Sequence, residues 1–180
     1  MPWANGGGET TELHSNLQEG SDRMLWRISM ADVLSAGPFS HFDGYDRVLV
    51  LLEGNGIGLS FEGGTNTQLS RRYDFAKFPG DIDTFADVSN GPIRDFNVIV
   101  DRSSFRPDVS IVQSGESFRI LPNTQIITVY SVEDDVVVEA PDKSSSKLLL
   151  GNLLIIENPL EGGWYVHGAT SIVVHLLPSE

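Results

Sequence analysis

Residues 37–56 read "GPFSHFDGYDRVLVLLEGNG". A Gly-Pro turn opens the stretch, a polar and aromatic cluster follows, and Arg47 to Leu52 forms a continuous β run. That run stops at Glu53-Gly54-Asn55-Gly56, which carries the glycines and asparagine of a tight turn. Ile57 to Phe61 resumes the strand and ends at Glu62-Gly63-Gly64. Working outward, Leu25 to Met30 alternates, with Trp26, Ile28 and Met30 on one face and Arg27 and Ser29 on the other. Asp95 to Val100 is a further strand. Beyond it, Phe118–Leu121, Thr124–Ser131, Val136–Glu139, Leu148–Ile156 and Ser171–Leu177 follow the same style, separated by Pro, Asn, Asp, Ser and Gly. One helical turn is expected, at Ala31-Asp32-Val33-Leu34. So many short strands with almost no helix predict an all-β chain built from sandwiches or barrels. Arg102 to Asp108 reads as the seam between two similar halves, 1–103 and 104–180.

The chain has 180 residues, 40% of them hydrophobic, enough to bury a core. Its formal net charge is −13. Residues 1–103 hold 15 acidic and 8 basic side chains, and 104–180 hold 10 and 4, so the acidity is spread evenly. No basic stripe offsets it, which argues against nucleic acid and anionic membranes as partners. Cysteine is absent, excluding disulfides, thiolate metal sites and cysteine nucleophiles. The first residues lack a basic segment followed by an apolar one, and the longest apolar run is too short to span a bilayer. A soluble, cytoplasmic protein is expected.

The opening stretch also resembles the first motif of the cupins, with its Gly-Pro turn, polar cluster, β run and Glu-Gly-x-Gly. In metal-binding cupins this segment supplies two histidines and a glutamate. Counted back from Gly54, the glutamate position falls on Arg47 and the histidine positions on His41 and Asp43. A guanidinium is always charged and never ligates metal. No catalytic metal and no cofactor are therefore expected, and Arg47 turns a cation position into an anion position. "LLLGNLLIIENP" (148–159) resembles the strand-turn-strand entry to a second cupin motif, without its histidine in place. His167 and His175 are expected as surface or core residues.

Four blocks in order, "PWANGGGETTE" (2–12), "WRISMADVLSAGPFSHFDGYDRVLVLLEGNG" (26–56), "FPGD" (78–81) and "GPIRDFNVIVDR" (91–102), resemble the HutD/Ves family. The resemblance covers most of residues 2–102 and is weak beyond. It implies a bicupin: an N-terminal cupin barrel (1–103) with a metal-free ligand pocket, and a C-terminal cupin-like barrel (104–180). It also implies a homodimer and an accessory or regulatory role in histidine utilisation. Two departures stand out. Family members carry a short strand before the Pro-Trp pair, where this chain has only Met1. Ala4 also stands where many members have lysine.

The resemblance gives the Gly-rich opening a purpose at a barrel mouth. Trp3 would form an aromatic wall with an indole donor, and Asn5 would offer both a donor and an acceptor. Gly6 and Gly7 would bring backbone N–H groups close to an anion. Glu12 enters the following strand. Trp26, Arg27 and Ser29 on the alternating strand, Phe39 and Arg47 in the opening stretch, and Arg94, Asp95 and Asn97 complete the candidate site. Seven of the nine arginines precede residue 103, and arginine suits bidentate carboxylate recognition. A small anionic, carboxylate-bearing metabolite is the expected partner. The alternative is a metal-independent isomerase or hydrolase with Glu12, Asp46 or Asp95 as base. No nucleophile elbow or Ser-His-Asp order supports acyl chemistry.

Overall fold

The computed structural model describes residues 1–3 and 6–179. The chain divides into two compact units, Met1–Ser104 and Phe105–Glu180. All regular elements among the described residues are β-strands, and no helix is long and apolar enough to cross a membrane.

The first unit holds β1 (Gly8–Leu17), β2 (Met24–Val33), β3 (Gly37–Pro38), β4 (Tyr45–Glu53), β5 (Ile57–Phe61), β6 (Asn66–Leu69), β7 (Phe75–Pro79), β8 (Thr84–Asp87) and β9 (Ile93–Asp101). They form a five-stranded sheet, β1-β2-β9-β4-β7, and a four-stranded sheet, β3-β8-β5-β6. Leu49, Leu51 and Ile93 of the larger sheet meet Ile57, Leu59, Leu69 and Ala86 of the smaller in one core. β4 is buried on both faces, with Val48 and Val50 fully covered on the side away from that core. Double-sided burial explains its uninterrupted apolar run. The turn that ends β4 needs glycine: Gly54 has φ +104, and a Cβ there would lie 2.7 Å from the Pro92 carbonyl oxygen.

The second unit holds β10 (Phe105–Val112), β11 (Ser117–Arg119), β12 (Ile126–Ser131), β13 (Val136–Glu139), β14 (Ser145–Leu148), β15 (Leu153–Glu157), β16 (Tyr165–Gly168) and β17 (Ser171–Pro178). Its sheets run β10-β17-β12-β15 and β11-β16-β13-β14. In both units the pairings are antiparallel, and early strands bond to the last one: β2 and β4 to β9, β10 and β12 to β17.

The structure corrects two expectations. Ala31 to Val33 continue β2 and form no helical turn. Ala31 and Val33 point inward while Asp32 points away and binds Arg94. The run from Leu148 to Ile156 is broken into β14 and β15 by a turn at Gly151, φ +75.

Candidate functional site

At one end of the first unit the core gives way to a cavity of about 240 Å³ between the two sheets. The period-two alternation of three adjacent strands builds its wall. β2 contributes Arg27, Ser29 and Ala31, β9 contributes Asp95, Asn97 and Ile99, and β4 contributes Arg47. Register sets them side by side: Ser29 is opposite Asn97, Ala31 opposite Asp95, and Arg27 and Arg47 flank Ile99. The loop carrying Phe39, Ser40 and Phe42 faces them, and Trp3 and Thr10 close one side.

Arg47 is 7% exposed. Its guanidinium donates to the Ser40 carbonyl at 3.4 Å and to Asn97 Oδ1 at 3.2 Å. Phe39, Phe42 and Phe78 ring it at 5.1, 5.5 and 5.1 Å from their centroids. Burial lowers its pKa to about 10, with the Asp95 charge opposing and the Arg27 charge assisting. It therefore stays charged at neutral pH. Arg27 is half-buried, and burial lowers its pKa too, against the pull of Glu12. Its guanidinium sits 5.3 Å from the Phe42 centroid, so that ring serves both cations. The Nε atoms of Arg27 and Arg47 are both buried without a hydrogen-bond partner among the described residues, and neither side chain forms an ion pair there.

Asp95 is 1% exposed. Burial raises its pKa to about 7, against the Arg47 charge and hydrogen bonds from the Ala31 backbone and the Asn97 amide. Asn97 joins the two: its oxygen accepts from Arg47 and its nitrogen donates to Asp95. The arrangement is a relay from guanidinium through amide to carboxyl, with the guanidinium and carboxyl groups both facing the cavity.

Seven of the candidates named from the sequence meet here: Trp3, Arg27, Ser29, Phe39, Arg47, Asp95 and Asn97. Others do not. Trp26 lies on the opposite face of β2, fully buried and stacked on His14 at 5.0 Å. Arg94 points to that same far side of β9. It binds Asp32 through Nε at 2.8 Å and Nη2 at 3.1 Å, with Glu53 3.8 Å away. Glu12 is exposed on β1 and accepts from Ser15, reaching the site only through its charge on Arg27. Gly6 and Gly7 do not line the cavity. Gly6 turns the chain at φ +68 and donates to the Trp3 carbonyl, while the buried Gly7 carbonyl accepts from Leu34. Asn5 lies outside the described residues. Gly8 holds the hook closed, since a Cβ there would stand 2.4 Å from the Asp32 carbonyl oxygen and 3.1 Å from the Trp3 ring. Trp3 is thereby seated at the cavity, donating to Thr10 Oγ1 at 2.8 Å and meeting Phe39 edge-on. Sequence reasoning did not single out Thr10 or Phe42. Phe42 was within reach, lying three residues after Phe39 in the opening stretch.

Comparison with known proteins places this geometry. The family model HutD matches residues 1–173. The chain belongs to the HutD family. A relative from Pseudomonas putida, described as an uncharacterized 21.2 kDa protein in the hutC 3' region, is 31% identical over 87% of this chain and 81% of its own length. Protein Ves of Citrobacter koseri is 34% identical over 61% of this chain and 56% of its own length. The solved structure of HutD from Pseudomonas fluorescens SBW25 (formate condition) has a TM-score of 0.85 at 30% identity, covering 100% of this chain and 94% of that one. A cupin 2 conserved barrel domain protein from Leptotrichia buccalis shares the fold alone, at TM-score 0.54 and 10% identity over 93% and 89% of the two chains. This HutD-family chain is thus an all-β bicupin.

The donors expected of a metal-binding cupin are not gathered in it. At the carboxylate position stands Arg47, which cannot ligate. His41 is exposed, with Nδ1 3.1 Å from Asp43 and Nε2 3.5 Å from Asp83. Among the described residues no group of three His, Asp or Glu side chains is arranged to hold a metal ion. In the second unit His175 is fully buried on β17, and His167 is half-buried on β16.

Proposed function

We propose that the cavity of the first unit binds a small carboxylate-bearing metabolite, and that the chain serves a regulatory or accessory role in histidine utilisation. The observation that carries this reading is the pair of guanidinium groups, Arg47 buried and Arg27 half-buried, facing one small cavity. Each has a buried Nε with no acceptor among the described residues. Leaving a buried donor unsatisfied costs about 1–3 kcal/mol, more when it is charged. A carboxylate would satisfy both and find the fork geometry it prefers. Membership of HutD, and the P. putida relative's place beside hutC, support the metabolic context. The acidic, cysteine-free chain suits a cytoplasmic protein that avoids nucleic acid and membranes, and we read it as a homodimer, which light scattering tests directly.

A thermal-shift and calorimetric panel of formate, acetate, propionate and benzoate tests the binding reading. The native chain should be stabilised, equally with and without EDTA, and Arg47→Ala and Arg27→Ala should each weaken binding by roughly 30-fold or more. No response to any acid by the native chain overturns it. A second reading, a metal-independent acid–base enzyme, is favoured by one observation: Asp95 titrates near neutrality inside the cavity. Turnover of a small anionic metabolite, lost in Asp95→Asn, would establish it.

A further inference from the structure

The relay contains a feature that carboxylate binding alone does not explain. A cavity built only to hold an anion has no need of an acid, yet Asp95 lines the same wall as Arg27 and Arg47. It is not an ion-pair partner of either, among the described residues, and touches Arg47 only through Asn97. An entering carboxylate would share a 240 Å³ space with it. Two carboxylates confined together in low dielectric cannot both stay ionised cheaply, and one proton is shared between them.

Burial makes Asp95 the group that yields, against the opposing charge of Arg47 and the hydrogen bonds it accepts from Ala31 and Asn97. Arg47 on β4 and Arg27 on β2 face the cavity and hold an anion. Asp32, on the far face of β2, adds only a small push in the same direction as burial. Glu12 on β1 acts on Arg27. The facing loop brings Pro38, Phe39, Ser40 and Phe42 to the cavity and no charge. A carboxylic acid kept neutral in an apolar site is an effective hydrogen-bond donor.

We propose that Asp95 is a specificity-determining residue of this cavity. It takes up one proton from solvent as a small monocarboxylate enters, and as a neutral acid it donates a hydrogen bond to that ligand's carboxylate while Arg27 and Arg47 balance the charge. No covalent bond to carbon forms or breaks; the O–H bond formed on Asp95 uses a solvent proton. The inference rests on the carboxylate-binding reading. It adds that the cavity distinguishes an anion from an isosteric amide by proton uptake. An amide brings no charge to drive that uptake, and its N–H donors would call for Asp95 in the ionised form.

Benzoate, ionised throughout the neutral range, is the probe, with benzamide as its uncharged counterpart. Titration calorimetry at roughly pH 7.5 in two buffers of different ionisation heat should show uptake of more than about half a proton per benzoate. The native dissociation constant should weaken about tenfold between roughly pH 6 and pH 8. Asp95→Asn, which keeps a donor and removes the titration, should bind benzoate independently of pH over that range. Zero proton uptake by the native chain overturns the proposal, as does an unchanged pH slope in Asp95→Asn or equal affinity for benzamide. The native uptake measurement decides the matter even where the variant fails to fold. Failure of benzoate to bind the native chain at either pH overturns the proposal, and failure of the whole acid panel overturns the carboxylate reading as well. Binding without proton uptake overturns only the role of Asp95.

Discussion

The two units share an architecture and differ in what fills it. In the second unit the interior between the sheets is largely aliphatic: Val112, Ile127, Val129, Val136, Val138, Val166 and Val173 pack with Leu148. The one imidazole described there, buried His175, lies 5.9 Å from the Phe118 ring centroid. One cavity there, of about 310 Å³, is lined mainly by Ile120, Ile127, Pro159, Leu160 and Trp164, with Asn123, Thr124 and Glu161 as its polar side chains. The charged Glu116, Glu139 and Lys143 line a separate, open cleft. In the first unit the equivalent space runs from Leu49 and Leu51 into Arg47, Asp95 and Asn97 within a few residues of the same strands. One sandwich uses its interior for cohesion, and the other gives part of that cohesion up. Polar groups that cost stability and recur in one cavity are the pattern expected of a binding site.

The hardest blow to this contrast is a charge placed in the aliphatic cluster of the second unit. Val129→Asp buries a carboxylate at a fully covered position within that cluster, and should cost about 5 kcal/mol or more and unfold the chain. Denaturant titration checks it; a mild loss would mean that both interiors tolerate charge. Next in size is the pH response of the first unit. Asp95 has its pKa raised by burial, from 3.8 to about 7. Its contribution is therefore fully present below the unfolded value and lost as pH rises through the folded one. From this group, stability should fall by roughly 1.4 kcal/mol per pH unit across that window, and Asp95→Asn should flatten the fall. Asp101 acts in a lower window and the opposite direction. Burial works to raise it, but hydrogen bonds from Arg23 and Ser103 hold it at about 2, so its contribution is lost as pH falls from 3.8 toward that value. Denaturation midpoints followed by tryptophan emission separate the two windows.

A smaller change sharpens the contrast by making the first unit more like the second. Arg47→Met removes a desolvated cation and keeps an unbranched stem among Phe39, Phe42 and Phe78. It should leave stability unchanged or raise it by about 1 kcal/mol while abolishing carboxylate binding. A large loss of stability would make Arg47 a structural residue. The smallest effect belongs to Arg94→Ala. That side chain is 43% exposed, so its pairs with Asp32 and Glu53 are screened by solvent. It should cost less than about 1 kcal/mol and leave binding intact.

Much of this was legible from local pattern. β5 and β13 run over the residues that alternation and turn chemistry predict, and β4 extends its predicted run by only a residue or two at each end. The phase of Arg27-x-Ser29 and Asp95-x-Asn97 already placed each pair on one face, and that phase also separates Trp26 and Arg94 from the cavity. What the sequence hid is long-range. The strand fate of Ala31–Val33 depends on pairing with β9 and on an Arg94 sixty-two residues away. β10 was obscured by Pro107, which an edge strand tolerates because one side of it needs no ladder donor. Phe42 becomes a site residue only because a loop folds its ring beneath two guanidinium groups from separate strands. The Gly-rich opening has the composition of an anion cradle. Its glycines instead serve the chain's own backbone, since the carbonyl and amide groups they free are used in the hook.

Gly8 has one further consequence. Since even a methyl group at this position would collide with the Asp32 carbonyl, any side chain there would prise the leading segment off β2 and carry the Trp3 indole away with it. The same Asp32 fastens Arg94 on the reverse of the sheet, so two anchorages converge on one residue. A single added carbon atom at residue 8 would therefore open the mouth of the first sandwich while leaving every charged group inside untouched.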